Sequence, residues 1–160
     1  MSKIEARLAQ IGLRLPPPVN APAGVVLPFR FVRVVGSRAL VSGHSPQAAD
    51  GSVAGPFGKV GRELTVEQGY EAARLTALSM LGSLQRELGD LDRVSNWVRV
   101  FGMVNSAPGF DKQPAVINGC SDLILQLWGE DAGAHARSAV GMAELPFGIP
   151  VEVEAEVEIL

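Results

Sequence analysis

One cation stands in an almost uncharged stretch near the C-terminus. From Ala136 to Ala143, Arg137 is the only charged residue. A guanidinium in apolar surroundings needs a partner to offset its lost hydration, and its planar fork of donors fits a carboxylate. That carboxylate could belong to a small ligand or to a glutamate of the next strand in a buried ion pair. We interpret Arg137 as a candidate ligand-binding residue, with the structural ion pair as the alternative.

The residues after this stretch alternate between apolar and acidic side chains. Apolar residues stand at every odd position from Val151 to Ile159, and a glutamate stands at each even position. This period of two predicts a half-buried strand with one acidic face, and such a charge row is usually solvated. We predict that this strand and the one carrying Arg137 form a closing β-hairpin, with Glu152 across from the arginine.

Composition favours one compact domain over residues 1–160. The chain has a mass of 16.9 kDa, 47% hydrophobic residues, a net charge of −3 and a pI near 5.4. The acidic balance and the lack of a basic run argue against a nucleic-acid partner. There is one cysteine, no secretory leader pattern and no apolar run of about 20 residues, so we expect a cytoplasmic protein that does not bind membranes.

The other reactive side chains give weaker signals. His44 and His135 lack metal ligands at suitable spacing, so no metal site is expected. Cys120 has no basic residue at helical spacing and is interpreted as a core thiol. Ser42 and Ser45 lack the strand-to-helix elbow of a serine hydrolase.

Helix and strand signals alternate along the chain. Capping boxes predict a short N-terminal helix within residues 1–15 and a long helix from Thr65 to Gly89, and a further helix is predicted from Pro114 to Gly129. The predicted strands form a hairpin over residues 25–35 and 39–42, a strand over 93–104 and the closing hairpin. A long loop over residues 43–61 follows the first hairpin.

The resulting order after the first helix is ββαβαββ, which predicts an α+β fold with a mixed sheet. Two helices cover only one face of such a sheet. Because strand residues on the other face are also apolar or small, we expect sheets from several subunits to pack together.

Several segments resemble the Rid family of reactive intermediate deaminases, also called the YjgF family. The run A-R-S-A-V-G-M-A-E-L-P at 136–146, followed by V-E-V-E-A at 151–155, resembles its C-terminal signature. V-S-G-H-S-P at 41–46 is similar to the family segment S-G-Q-x-P, and Asn118 falls where members often have asparagine. The resemblance extends from Phe29 to the end. The run N-S-A-P-G-F at 105–110 and the N-terminal helix resemble a longer-chain subgroup.

The resemblance implies a chorismate-mutase-like fold and a homotrimer whose three sheets form a central barrel. Three sites would lie in the clefts between subunits. Members that keep the arginine hydrolyse enamines and imines such as 2-aminoacrylate to 2-keto acids and ammonia, without a metal or organic cofactor. The implied partners are two further copies of the chain and a small carboxylate-bearing metabolite.

The resemblance also implies roles for individual residues. Arg137 matches the substrate-binding arginine, and Glu152 matches the glutamate that positions or activates water. Asn118 and His44, the latter at the family's glutamine position, are expected to line the cleft. The alternative for Glu152 is a solvated position in the acidic row.

Three positions depart from the common pattern. Phe29 replaces a tyrosine, which removes a phenolic hydrogen bond but keeps an aromatic wall. Ala139 replaces a cysteine whose contact in the family runs mainly through the backbone. Gly141 replaces an acidic residue and is expected to enlarge the pocket.

Two other functions stay open at this stage. A non-catalytic trimer would bind a small acid or a protein as a sensor or chaperone. Ribonuclease or translation inhibition is attached to parts of the family, but the acidic charge argues against it.

Overall fold

A computed structural model describes residues 2–21 and 23–160 and gives three helices and five strands there. The helices are α1 (Lys3–Gln10), α2 (Val66–Leu88) and α3 (Gln113–Gly133), and the strands are β1 (Val32–Val35), β2 (Arg38–His44), β3 (Val94–Asn105), β4 (Ala136–Met142) and β5 (Val151–Ile159). The predicted α+β class and the order ββαβαββ are confirmed. Both predicted capping boxes are present, at Ser2 and Thr65.

The five strands form one mixed sheet in the order β1-β2-β5-β3-β4. Only β3 and β4 run parallel, and the other neighbours are antiparallel. The odd-numbered apolar residues of β5 are buried beneath the helices, whereas its glutamates point to the opposite face. We call that opposite side the open face; a single chain leaves it uncovered, and the sheet does not close into a barrel.

The predicted closing hairpin is wrong. β5 pairs with β2 and β3, and β3 separates it from β4. The cause is α3, which connects β3 to β4 as a crossover and so sets β4 parallel to β3. The alternation in β5 identified a strand correctly, but period alone does not identify the neighbouring strand.

The first strand is shorter than the prediction of residues 25–35. β1 begins only at Val32, where the ladder with β2 ends. The Phe31 carbonyl still accepts from the Ser42 N–H, but the Arg30 carbonyl accepts from the Ser42 hydroxyl and no longer from backbone of β2. Residues 25–30 are exposed. Their β-branched and aromatic character favours a strand, yet a strand needs a neighbour.

The helices pack closely on each other and on the sheet through two glycines. A Cβ on Gly119 of α3 would lie 2.0 Å from the Tyr70 carbonyl oxygen of α2. A Cβ on Gly102 of β3 would lie 2.6 Å from Ile117. These contacts fix α3 against the sheet, and α3 supplies the residues that hold Arg137.

No helix within the described part of the chain combines the length and apolar character needed to cross a bilayer.

Candidate functional site

Arg137 lies on β4, the strand at one edge of the sheet, and faces α3. Its Nη1 donates to Asn118 Oδ1 at 2.8 Å and to Ser121 Oγ at 3.1 Å. Its Nη2 lies 3.5 Å from the Pro114 carbonyl oxygen. All three acceptors are uncharged and come from the first turns of α3, so one helix orients the guanidinium.

The structural ion pair considered for Arg137 does not form. Among residues 2–21 and 23–160, no carboxylate lies within ion-pair distance of this guanidinium. The glutamates of β5 point to the open face, and β3 lies between. An arginine has five N–H donors, and the Nε–H and one Nη2–H of Arg137 have no partner among the described residues. Nε and Nη2 form the edge of the guanidinium that binds a carboxylate side-on, and among the described residues the one contact on these two atoms is the long one between Nη2 and the Pro114 carbonyl oxygen.

A histidine completes the support of Arg137. His135 Nδ1 lies 2.7 Å from the Gly133 carbonyl oxygen, and its Nε2 lies 2.9 Å from Ser121 Oγ. Because a carbonyl only accepts, Nδ1 carries the proton and Nε2 accepts from the Ser121 hydroxyl. Burial lowers the pKa of His135, and the charge of Arg137 adds to this effect. His135 is therefore neutral near pH 7.

Two small residues of β4 lie beyond Arg137 on the same side of the sheet. Ala139 is opposite Gly102 of β3 and is half-buried. The expectation that Gly141 enlarges a pocket is wrong, because a Cβ there would lie 2.9 Å from Ser106 Oγ and 3.0 Å from Gln113 Nε2. The volume freed by the glycine is occupied by these two side chains, which hydrogen-bond to each other.

Glu152 lies on β5 and faces the open side of the sheet. It is half-buried next to Gly43, where a Cβ would come within 2.8 Å of Glu152 Oε2. Burial raises the pKa of the Glu152 carboxyl, and the charge of Glu154 raises it further. A carboxyl with a raised pKa exchanges protons more readily near neutral pH than an exposed one.

One chain does not bring Arg137 and Glu152 together. They lie on opposite faces of the sheet, with β3 between their strands. The expectation that Glu152 lies across a hairpin from Arg137 is therefore wrong.

Phe29 belongs to the opposite end of the sheet from Arg137. It precedes β1, is 51% exposed and packs edge-to-face on Phe31 with ring centroids 5.4 Å apart. Both rings line a cavity of about 310 Å³ together with Ser83 and Arg86 of α2. Phe29 is thus available as an aromatic wall, but not next to Arg137 of the same chain.

His44 does not line an open cleft as expected, because its imidazole is only 2% exposed. Its Nδ1 lies 2.6 Å from the Ser42 carbonyl oxygen and its Nε2 lies 2.8 Å from Ser83 Oγ. Burial and, to a smaller extent, the charge of Arg86 lower the pKa of His44 to about 4, against the opposing effect of the hydrogen bond to the Ser42 carbonyl. Both ring nitrogens are occupied, so the side chain is structural within the chain.

Sequence reasoning missed the supporting residues around Arg137. Ser121 follows Asn118 by one helical turn, and His135 precedes Arg137 by two residues. The three-residue spacing on a helix was a usable signal for Ser121.

Cys120, which precedes Ser121 on α3, is fully buried, as predicted for a core thiol. Burial raises the pKa of this thiol to about 12.

Comparison with known proteins gives consistent matches over almost the whole chain. Residues 5–150 match the family described as "YjgF/chorismate-mutase-like, putative endoribonuclease". Protein TCP17 of Trypanosoma cruzi is 44% identical over 159 residues, which cover 98% of this chain and 94% of that protein.

Two solved structures share both the fold and substantial sequence identity. A protein of unknown function from Agrobacterium tumefaciens has a TM-score of 0.86 and 38% identity, covering 98% of this chain and 91% of its own. A protein from Shewanella oneidensis, titled a putative endoribonuclease, has a TM-score of 0.87 and 31% identity over 98% and 99% of the two chains. The fold is thus the expected chorismate-mutase-like one, and the chain belongs to the YjgF/chorismate-mutase-like family.

Proposed function

We propose that the protein hydrolyses small 2-imino acids, or the enamines that form them, to 2-keto acids and ammonia. The observation that carries this proposal is the free side-on edge of Arg137, which neutral acceptors hold in place without a competing carboxylate. A carboxylate bound there would be that of the substrate. Small 2-imino acids carry such a group next to the reacting carbon.

The proposed chemistry needs little beyond orientation and proton transfer. A water oxygen adds to the imine carbon, the carbon–nitrogen bond of the resulting adduct breaks, and ammonia leaves as the carbonyl forms. Glu152 takes one proton from the attacking water and gives it to the imine nitrogen. It then moves the hydroxyl proton of the adduct to the same nitrogen, so the carbonyl forms as neutral ammonia leaves. Its half-buried position and raised pKa support this role.

The proposed active form is a homotrimer with sites between subunits. Arg137 and Glu152 lie on opposite faces of the sheet in one chain, so a site that uses both requires two copies.

The open face carries apolar side chains beside the charged ones, including Leu40, Phe101 and Val140. Leu40 and Phe101 line a cavity of about 360 Å³ on this face. Packing of this face against other copies would form the barrel.

In this proposal Phe29, Asn118 and Ala139 line the cleft between subunits. The enzyme acts in the cytoplasm.

The direct test measures keto-acid release in the presence and absence of the protein. A dehydratase acting on serine would supply 2-aminoacrylate, and an amino-acid oxidase would supply imines of larger amino acids. We expect faster release with the wild-type protein, and no acceleration over the protein-free rate with Arg137→Ala at unchanged circular dichroism. Light scattering should give a mass three times that of the 16.9 kDa chain.

Three outcomes would contradict the proposal. No acceleration with any imine would remove the deaminase assignment. Binding of 2-oxobutanoate without turnover would instead indicate a sensor. Cleavage of RNA by a preparation free of contaminating nuclease would support the endoribonuclease activity suggested for the Shewanella oneidensis relative, which the net charge of −3 does not favour here.

A further inference from the structure

The hydroxyl of Ser121 donates to His135 and accepts from Arg137. Since His135 Nδ1 is bound to the Gly133 carbonyl, Nε2 is left as an acceptor and takes the Ser121 proton. The lone pairs of Ser121 Oγ are then available to Arg137 Nη1, which lies 3.1 Å away. The neutral histidine thus determines which way the serine hydroxyl points.

This arrangement fixes the rotation of the guanidinium. Asn118 Oδ1 and Ser121 Oγ occupy both N–H groups of Nη1, so Nη1 is held at two points on α3. With the Ser121 hydroxyl removed, Nη1 would keep only Asn118, and the 3.5 Å contact of Nη2 with the Pro114 carbonyl is too long to hold the plane, so the Nε–Nη2 edge would lose its direction. Bidentate binding of a carboxylate depends strongly on that direction.

We propose that His135 and Ser121 are positioning residues that set the carboxylate-binding edge of Arg137 and thereby the affinity for the 2-imino acid substrate. The proposal rests on the proposed function, in which Arg137 binds the substrate carboxylate. Neither residue contacts substrate, and neither takes part in the proton transfers of hydrolysis. Their effect is therefore on binding and not on the chemical step.

The test measures the dissociation constant of 2-oxobutanoate by calorimetry, with KM and kcat for the imine. We expect Ser121→Ala to raise the dissociation constant and KM about tenfold, with kcat changed less than twofold. His135→Leu should weaken binding about fivefold. His135→Gln should restore near-wild-type binding, because the glutamine amide oxygen also accepts the serine proton.

Several results separate failure of this inference from failure of the proposed function. If Arg137→Ala abolishes binding while Ser121→Ala and His135→Leu leave it within twofold, the positioning role is wrong. If Arg137→Ala binds 2-oxobutanoate like the wild type, the proposed function itself fails. If Ser121→Ala does not fold, the contrast between His135→Leu and His135→Gln decides, and equal affinities of those two would contradict the inference.

Discussion

Two histidines of this chain form the same pattern of hydrogen bonds. Each supports an arginine, but one arginine contributes to packing and the other lies in the candidate site. Each binds the carbonyl of the residue two positions earlier through Nδ1 and a helical serine hydroxyl through Nε2. We call these the buried relay (His44, Ser83, Arg86) and the edge relay (His135, Ser121, Arg137). In both, the arginine donates to the serine oxygen.

The two relays differ in burial and in what the arginine does with its other donors. Arg86 also donates to the Pro16 carbonyl and so fastens the N-terminal segment to α2. Within the part of the chain that the structure describes, the side-on edge of Arg137 has only the long contact between Nη2 and the Pro114 carbonyl. The same histidine–serine–arginine pattern thus supports packing at Arg86 and a candidate binding site at Arg137. The difference is whether a further protein group takes up the other donors of the arginine.

The largest expected effect is a pH dependence of stability from the buried relay. His44 has a pKa of about 4 when folded and about 6.5 when unfolded, so the unfolded state takes up a proton first as pH falls. Its contribution is present above pH 6.5 and is lost between pH 6.5 and 4, by about 3 kcal/mol. Urea unfolding at several pH values should show this loss in the wild type and a smaller one in His44→Gln. Identical pH profiles would contradict the assignment.

The next effect separates the two arginines by function. Lysine cannot form a bidentate contact, so Arg137→Lys should weaken 2-oxobutanoate binding by tenfold to a hundredfold, about 1.4 to 2.7 kcal/mol. Arg86→Lys, the matched control, should bind within threefold of wild type. Calorimetry at one ionic strength measures both. Equal losses in the two variants would mean that the relays do not differ in function.

The smallest effect separates the two serines by stability. Ser83→Ala leaves the buried Nε2 of His44 without a partner and should lower the free energy of unfolding by about 1 to 2 kcal/mol. Ser121→Ala should lower it by about 0.5 kcal/mol or less, because water can reach the half-buried His135 and Arg137. Urea unfolding at pH 7.5 gives both values, and a reversed order would contradict the comparison.

The element order and the candidate residues could be predicted from the sequence, whereas their neighbours could not. Capping boxes and hydrophobic periods depend on residues close in the chain, so α1, α2 and β3 were predicted well. The position of β5 between β2 and β3 depends on pairing with strands that are distant in the sequence. The alternating pattern of β5 gives no information about which strands these are. This error placed Glu152 beside Arg137. The support of Arg137 by Ser121 and His135 depends on how α3 packs against β4, and it was not predicted either.

His44 and Gly141 are single residues whose neighbours could not be predicted from the sequence. Resemblance placed both in a cleft, but burial of His44 against Ser83 and the approach of Ser106 and Gln113 to Gly141 depend on packing between distant segments. Only three-dimensional contacts determine whether a residue at a family position is accessible.

A crystal structure of the protein with 2-oxobutanoate tests the central claim most directly. We expect the carboxylate of the ligand on the Nε and Nη2 atoms of Arg137, with Glu152 of another copy facing the keto carbon. A ligand bound away from Arg137, or a glutamate side chain of another copy on that edge of the guanidinium, would contradict it.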